Sequence, residues 1–332
     1  MIPVVIVGAG IAGLACAQRL MQAGVRTVLF EKGRGIGGRV ATRRADGLQF
    51  DHGAQYVTAK GVDFAAVLRK LVAAGSAIPW RDGSGRARVV GMPGMATIGK
   101  ALAAGLDIRH GVQINTIRPS KAGWQVLAGD SCYPAARVVV TVPAPQVEGL
   151  LSANHSLVAM IGGVRMDPCL TLMAGILARP PFVTRESPDE PLAWIAQNSA
   201  KPGQPAISVS NGAVAWVAQA SPAFSAAHLE DDPATIVALM LPMLCDRLGV
   251  TIDRVSHAAA HRWRYARVTA PLGNPFLRDA GGSLYLGGDW CIGPRVEAAW
   301  TSGTAIANDL VAQMSYAARF RCSTFSRWVR PL

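Results

Sequence analysis

The sequence has few acidic side chains, and its six cysteines follow no recognisable spacing pattern. It carries 33 Lys and Arg against 21 Asp and Glu, a formal net charge of +12. Without a nucleic-acid-binding motif, this excess predicts a small phosphate-bearing ligand and no nucleic acid. The six cysteines show no CxxC and no zinc spacing, which excludes a redox dithiol and favours the reduced thiols of a cytoplasmic protein. The six histidines likewise show no metal spacing, so we expect no metal site.

Membrane and export signals are also missing. The apolar N-terminus has no basic segment before it, which argues against a signal peptide. Residues 206–227 carry no charge but contain Ser, Asn, Gln and Pro, so we expect no membrane partner. What is present is a chain of 332 residues that is 50% hydrophobic, enough for about two domains. A monomer and a homodimer both remain open.

A dinucleotide-binding motif opens the chain. The apolar run 4–7 predicts a buried strand, and Gly8, Gly10 and Gly13 follow it, with Ala12 among them at the start of a helical pattern. The glycines permit a tight turn, close approach of a pyrophosphate and close helix–strand packing. Glu31 ends the next predicted strand, where an acid accepts hydrogen bonds from ribose hydroxyls. Strand, glycines, helix, strand and acid in this order predict a Rossmann-like domain.

A second glycine-rich loop follows Glu31 directly. It reads "KGRGIGGR" and contains Lys32 and Arg39. The loop resembles one found after the acid in flavoproteins of the amine oxidase superfamily. That resemblance implies a loop around the FAD pyrophosphate, with Arg39 as a charge partner and Lys32 beside it. A solvated basic surface loop is the alternative. No second GxGxxG follows, which argues against disulfide reductases that bind two nucleotides.

Six further segments narrow the resemblance. In chain order they are DHGAQYVTAK, GMPGMATIGKAL, GVRMDP, LAWIAQNSAKPG, HRWRYAR and GGDWCIGPRVEAAWTSG. Over about residues 3–312 the chain resembles renalase-like flavoproteins, especially bacterial ones. Its segment between Trp80 and Gly91 is shorter than expected for that family. The resemblance implies non-covalent FAD and oxidation of the 2- and 6-dihydro isomers of NAD(P) to NAD(P)⁺. It further implies that O₂ takes the electrons as H₂O₂.

Residues in the middle of the chain are candidates for the flavin and substrate walls. Gln55 can hydrogen-bond a flavin edge, and Tyr56 offers a flat face with a polar tip. An ordinary strand end is the alternative for both. Large aromatic residues are more often core than ligand wall, and Arg295 could face the substrate or only the surface. The predicted substrate contacts are Tyr56, Thr58, Pro93, Gly94, Thr171, Trp263 and Arg295.

The segment GGDWCIGPRVEAAW has the composition of a thiol active site. Residues 284–286 predict a short strand before it, and a helical pattern begins near Arg295. No histidine lies near Cys291 in sequence, so we predict that it is not a nucleophile. The resemblance places Asp289 on the FAD ribitol and the Val296 N–H at the N1–C2=O edge of the flavin. A helix N-terminus there would stabilise reduced flavin, and no side chain is assigned as a catalyst.

These patterns predict an α/β fold with a Rossmann-like FAD domain and a substrate domain built on a mixed or antiparallel sheet. We expect the FAD domain in 1–75, 95–160 and 270–315, the substrate domain in 76–94 and 161–269, and a basic tail in 316–332. The expected function is oxidation of a small-molecule dihydronicotinamide dinucleotide by FAD and O₂. A flavin amine oxidase acting on a small amine and a non-catalytic FAD-binding redox sensor or subunit are the alternatives.

Overall fold

The computed structural model describes residues 4–178, 181–204 and 212–325, with side chains up to residue 316. The end of the tail predicted at 316–332 lies outside these ranges. Of the predicted tail, residues 316–325 continue the last helix.

The helices in chain order are α1 Ile11–Gln22, α2 Val62–Ala73, α3 Ala96–Leu102, α4 Glu148–Leu151, α5 Ser156–Met160, α6 Pro222–Ala227, α7 Pro233–Leu248 and α8 Val296–Phe325. The strands are β1 Val4–Val7, β2 Thr27–Glu31, β3 Arg43–Ala45, β4 Leu48–Phe50, β5 Ala77–Trp80, β6 Arg88–Gly91, β7 Ile108–His110, β8 Thr116–Ser120, β9 Gly123–Ala128, β10 Ser131–Ala135, β11 Arg137–Val140, β12 Arg165–Ile176, β13 Thr184–Glu186, β14 Leu192–Gln197, β15 Val214–Ala220, β16 Val255–Ala270, β17 Leu277–Arg278 and β18 Leu284–Leu286. Within the described ranges, no helix is long and apolar enough to cross a membrane.

A six-stranded sheet carries the glycine motif. Its order is β17-β18-β11-β1-β2-β7, parallel except for β17. The residues of β1 are all buried, as expected for a strand covered on both faces. Helices α1 and α8 pack so closely that a Cβ on Gly303 would lie 2.0 Å from the Ala12 carbonyl oxygen. The parallel sheet therefore includes strands from both ends of the chain.

A five-stranded antiparallel sheet forms the second layer. Its order is β13-β14-β15-β12-β16, and α7 packs on it through an apolar cluster that includes Ile236, Met240 and Leu244. Asp232 caps the N-terminus of α7, and Gly249 ends the helix in the left-handed conformation at φ 65°. This is the antiparallel sheet expected for the substrate side.

Smaller sheets lie in the chain between strands of the parallel sheet. The β5–β6 hairpin lies in the segment 76–94 assigned to the substrate domain, and β8, β9 and β10 form a separate three-stranded sheet. The sequence did not predict the three-stranded sheet. The predicted strands at 4–7 and 284–286 are confirmed with the same bounds. The domain ranges themselves stay a prediction.

Candidate active site

The first part of the site is a cradle formed by backbone at the carboxyl end of β1. Gly8 has a φ of +100°, and Gly13 packs so tightly that a Cβ there would lie 2.0 Å from the Gly8 carbonyl oxygen. Gly10 precedes α1 and provides no side-chain cap, and the first turn contains no acid. The first N–H groups of the helix, which have no intrahelical partners, therefore lack a capping side chain as well. A Cβ on Gly10 would meet nothing within 4 Å. The cradle is thus open where an anion would bind.

Glu31 lies beside this cradle at the end of β2. Its carboxylate accepts hydrogen bonds from the backbone N–H of Ala9 at 2.9 Å and of Gly33 at 2.8 Å. These two bonds fix the carboxylate next to the glycine turn. Lys32, the next residue, is exposed. The structure therefore places Glu31 next to the glycine turn and Lys32 at the surface.

The glycine–arginine loop folds across the cradle. Gly37 forms a parallel bridge with Gly10 and donates its N–H to the Ala9 carbonyl oxygen at 2.8 Å. Arg39 then binds both carboxylate oxygens of Asp289, at 2.6 and 2.8 Å, and the Ala266 carbonyl oxygen at 2.8 Å. The two residues predicted to contact FAD from opposite ends of the chain therefore contact each other.

The start of α8 forms the far side of the cradle. Val296 is the first helical residue and is half-buried, while the buried Glu297 accepts the backbone N–H groups of Lys60 and Gly61. Arg295 is exposed, and its guanidinium has no partner in the part of the chain that the structure describes. Burial raises the pKa of the Cys291 thiol to about 12, which agrees with its predicted lack of a nucleophilic role.

These features fit a bound FAD. Gly10 leaves space for a pyrophosphate, α1 offers unpaired N–H groups to its charge, and Glu31 is fixed within reach of the turn. The start of α8 adds a second helix N-terminus, and the acid in its first turn, Glu297, accepts the backbone N–H groups of Lys60 and Gly61. The individual cofactor contacts predicted for these residues remain predictions.

A turn at residues 51–56 joins the cradle to the antiparallel sheet. The Arg39 carbonyl oxygen accepts the Ala54 N–H at 2.9 Å, and a Cβ on Gly53 would lie 1.9 Å from that same oxygen. From the other side, Trp263 donates its indole N–H to the His52 carbonyl at 2.8 Å, and Gln219 donates to the Gly53 carbonyl at 2.7 Å. Both layers therefore hold this turn through its backbone.

Gln55 differs from its predicted role. Its amide group donates to the carbonyl oxygens of Asp51 and Gly53, and its side-chain oxygen accepts from Lys201 Nζ at 3.2 Å. Gln55 is buried and supports the turn, so both of its amide hydrogens are already engaged. Lys201, which the sequence analysis did not single out, lies in the quoted segment LAWIAQNSAKPG.

An aromatic wall begins at Tyr56. The Arg88 guanidinium lies 4.1 Å from the centre of the Tyr56 ring and 5.0 Å from that of Trp194. The buried Arg88 side chain also pairs with Asp82 and, at 2.8 Å, with Glu186. Thr58 is half-buried just beyond Val57, whose backbone pairs with Val89 of β6. The structure thus places Tyr56 and Thr58 beside the β5–β6 hairpin.

Three predicted substrate contacts lie elsewhere. Thr171 has no exposed surface, because it sits inside β12 between Gln219 and His261 of the neighbouring strands; a direct substrate contact is therefore not present. Gly94 is buried, and a Cβ there would press on the Thr42 and Gln49 side chains. Pro93 is exposed, and its carbonyl accepts from Gln49.

Two histidines, His52 and His261, pack against Trp263. The His52 ring stacks on Trp263 with centroids 5.4 Å apart and meets His261 edge-on at 4.7 Å. Burial, and after it the neighbouring His261, lower the pKa of His52 to about 4. Among the described residues, no group of His, Cys, Asp or Glu could hold a metal ion.

Comparisons with known families match both parts of the chain. Residues 6–71 match the NAD(P)-binding Rossmann-like domain, and residues 80–311 match the flavin-containing amine oxidoreductase family. A 4,4'-diapophytoene desaturase from Staphylococcus haemolyticus is 44% identical over 50 residues, which is 15% of this chain and 10% of that protein. The chain thus spans a tenth of that relative. The two family matches confirm the predicted fold class and FAD as the cofactor.

Solved structures share the whole fold. A proposed protoporphyrinogen oxidase from Exiguobacterium sp. 255-15 matches with a TM-score of 0.73 and 14% identity over 94% of this chain and 99% of that one. A triple variant of putrescine oxidase matches with a TM-score of 0.72 and 16% identity, over 94% of this chain and 99% of that one. Cyclohexylamine oxidase from Brevibacterium oxydans IH-35A matches with a TM-score of 0.70 and 12% identity, over 95% of this chain and 99% of that one. At these identities the likeness shows the fold.

Proposed function

The chain belongs to the flavin-containing amine oxidoreductase family, and on that premise we propose that it takes a hydride from the 2- or 6-dihydronicotinamide isomers of NAD(P). Bound FAD would supply the hydride acceptor, and O₂ would take up the electrons as H₂O₂. In the donor, a ring C–H bond breaks with its electron pair, and the ring nitrogen lone pair supplies the push. The product is the aromatic cation NAD(P)⁺, so the reaction requires no protein base.

The observation that carries the proposal is that the carboxylates bordering the site are already bound. Asp289 pairs with Arg39, Asp51 with Lys201, and Glu31 and Glu297 accept backbone N–H groups. None of these four is left unpaired for the ammonium group of an amine. By contrast, Arg295 is exposed with no side-chain partner among the described residues. This charge arrangement favours an anionic dinucleotide over a cationic amine.

The protein's part is to bind and orient. The N-terminus of α8 at Val296 carries partial positive charge, which stabilises negative charge at the cradle. Tyr56 is held in place by Arg88 and provides an aromatic face for a flat ring. Orientation of donor and acceptor supplies the rate acceleration.

The test is anaerobic mixing of the purified yellow holoprotein with dihydro-NAD isomers made by borohydride reduction of NAD⁺. We expect the flavin absorption to bleach within milliseconds, and H₂O₂ to form when air is admitted. Ordinary 4-dihydro-NADH is the matched control and should bleach the flavin far more slowly. No bleaching by the isomers would overturn the proposal.

Oxidation of a small amine is the second candidate. It is favoured by the fold shared with putrescine oxidase and cyclohexylamine oxidase and by the neighbouring rings of Tyr56 and Trp194, whose centres lie 5.7 Å apart. Putrescine and cyclohexylamine are therefore tested in the same experiment. Bleaching by either amine and not by the isomers would support this candidate. No bleaching by any donor would favour a non-catalytic FAD-binding role.

A further inference from the structure

A buried lysine lies outside the roles described so far. The Lys201 side chain has no exposed surface, and its Nζ donates to Asp51 Oδ2 at 3.1 Å and to Gln55 Oε1 at 3.2 Å. Its Nζ also lies 5.4 Å from the centre of the Trp80 ring. Burying a lysine is costly unless its nitrogen is well satisfied, and here two oxygen acceptors hold Nζ.

Asp51, the ion-pair partner of Lys201, is hydrogen-bonded to several separate segments of the chain. Asp51 Oδ1 accepts from the Thr42 hydroxyl at 2.6 Å and from the Met95 N–H at 2.9 Å. Asp51 N–H in turn donates to Asn198 Oδ1 at 3.2 Å. The network thus joins the chain after the glycine–arginine loop, the start of α3 and the loop that follows β14.

The second partner of Lys201 reaches the cradle. Since Nζ holds the Gln55 oxygen, the Gln55 amide N–H groups face the carbonyls of Asp51 and Gly53. Gly53 fits against the Arg39 carbonyl, and Arg39 binds Asp289. Through these contacts, the position of Lys201 Nζ is linked step by step to the cofactor cradle.

We propose that Lys201 is a positioning residue for the flavin centre: by holding Asp51 and Gln55 together, it fixes the 51–56 turn, and with it Tyr56, relative to the FAD cradle. This inference rests on the proposed function for its kinetic consequence, while its effect on bound FAD follows from the cradle alone. Lys201 touches neither cofactor nor substrate in this proposal and acts through Gln55.

The test compares Lys201→Met with the double variant Asp51→Asn/Lys201→Met. The single change leaves the buried Asp51 carboxylate unpaired and could prevent folding, whereas the double variant removes both charges together. Lys70→Met, a change at an exposed lysine of α2, is the matched control. Holoprotein of each variant is examined for FAD content, visible absorption spectrum, reduction potential and anaerobic reduction rate.

We expect the double variant to fold and retain FAD with shifted absorption bands and a changed reduction potential. Its reduction rate at saturating isomer should fall by about 100-fold, as for a small displacement of reacting groups, while the half-saturating concentration changes little. Lys70→Met should match the wild type in all four measurements. A double variant with wild-type spectrum, potential and rate would overturn the proposal.

The spectrum and the potential are read without any substrate. If the isomers fail to reduce the wild type, the proposed function fails, yet these two measurements still decide the role of Lys201. If the isomers reduce wild type and double variant equally well and the spectra agree, the Lys201 proposal alone fails.

Discussion

The two sides of the site differ in the groups that form them: backbone on one side and side chains on the other. At the parallel sheet, backbone groups form the cradle: the turn at Gly8, the open space at Gly10 and the uncapped start of α1. At the β5–β6 hairpin and the neighbouring antiparallel sheet, side chains form the wall, and buried polar contacts such as Arg88 with Asp82 hold it. A cofactor common to many proteins can be bound by backbone, whereas a particular substrate requires particular side chains.

The cradle side is tested most severely at Gly13. Replacement by Val places side-chain atoms where a Cβ alone would lie 2.0 Å from the Gly8 carbonyl oxygen, so strand and helix must separate. We expect more than ~3 kcal/mol of destabilisation, measured by urea unfolding. Gly10→Ala is the control: it meets no protein atom within 4 Å, so it should fold normally and lose FAD affinity only. Equal stability losses in both variants would contradict this account.

The wall side is tested at Arg88. Arg88→Met leaves the buried Asp82 carboxylate without its main cation, and we expect a loss of about 3–5 kcal/mol in the free energy of unfolding. Arg86→Met removes a neighbouring arginine whose side chain is 63% exposed, and it should cost less than about 1 kcal/mol. Urea denaturation of both variants measures the difference; similar losses would show that burial is not the cause.

The pH dependence of stability sharpens the comparison at His52. Its pKa is lowered from 6.5 to about 4 in the folded protein, so the unfolded chain binds the proton more tightly. The contribution of His52 to the free energy of unfolding is complete above pH 6.5. It is lost as the pH falls toward 4, by roughly 3 kcal/mol in total. Urea midpoints over this range should fall less steeply for His52→Gln than for the wild type. Parallel curves would show that His52 does not titrate in this way.

The smallest effect is expected at Glu31. Glu31→Gln keeps an oxygen acceptor for one backbone N–H but removes the charge beside the cradle. FAD should dissociate about tenfold more readily, or ~1.4 kcal/mol, with little change in stability. Asp130→Asn, at an exposed turn, is the control. FAD titration of the apoproteins measures both, and unchanged affinity in Glu31→Gln would remove Glu31 from the binding site.

The sequence predicted the cradle better than the wall, for a physical reason. Gly8, Gly10 and Gly13 are required by the local geometry of the turn, so their spacing in the sequence is enough to predict it. The bounds of β1 and β18 followed from short apolar runs for the same reason.

The wall depends on contacts between distant segments, which local patterns do not reveal. The pairs of Lys201 with Asp51 and of Arg88 with Glu186 join residues about 100 or more positions apart. The available signal for Lys201 was a lysine shortly after the apolar strand β14, which ends at Gln197. The sequence does not show that Thr171 is fully buried in β12 between two neighbouring strands, because that burial depends on distant segments.

The late position of β18 and α8 in the chain has a consequence for biosynthesis. Until residues 284–310 have left the ribosome, the nascent chain lacks a strand of the parallel sheet, the Asp289 partner of Arg39 and the helix that packs on Ala12. We therefore expect flavin loading to follow translation. Stalled chains that stop before residue 284 should retain no FAD, and retention by such chains would show that the early glycine motif suffices.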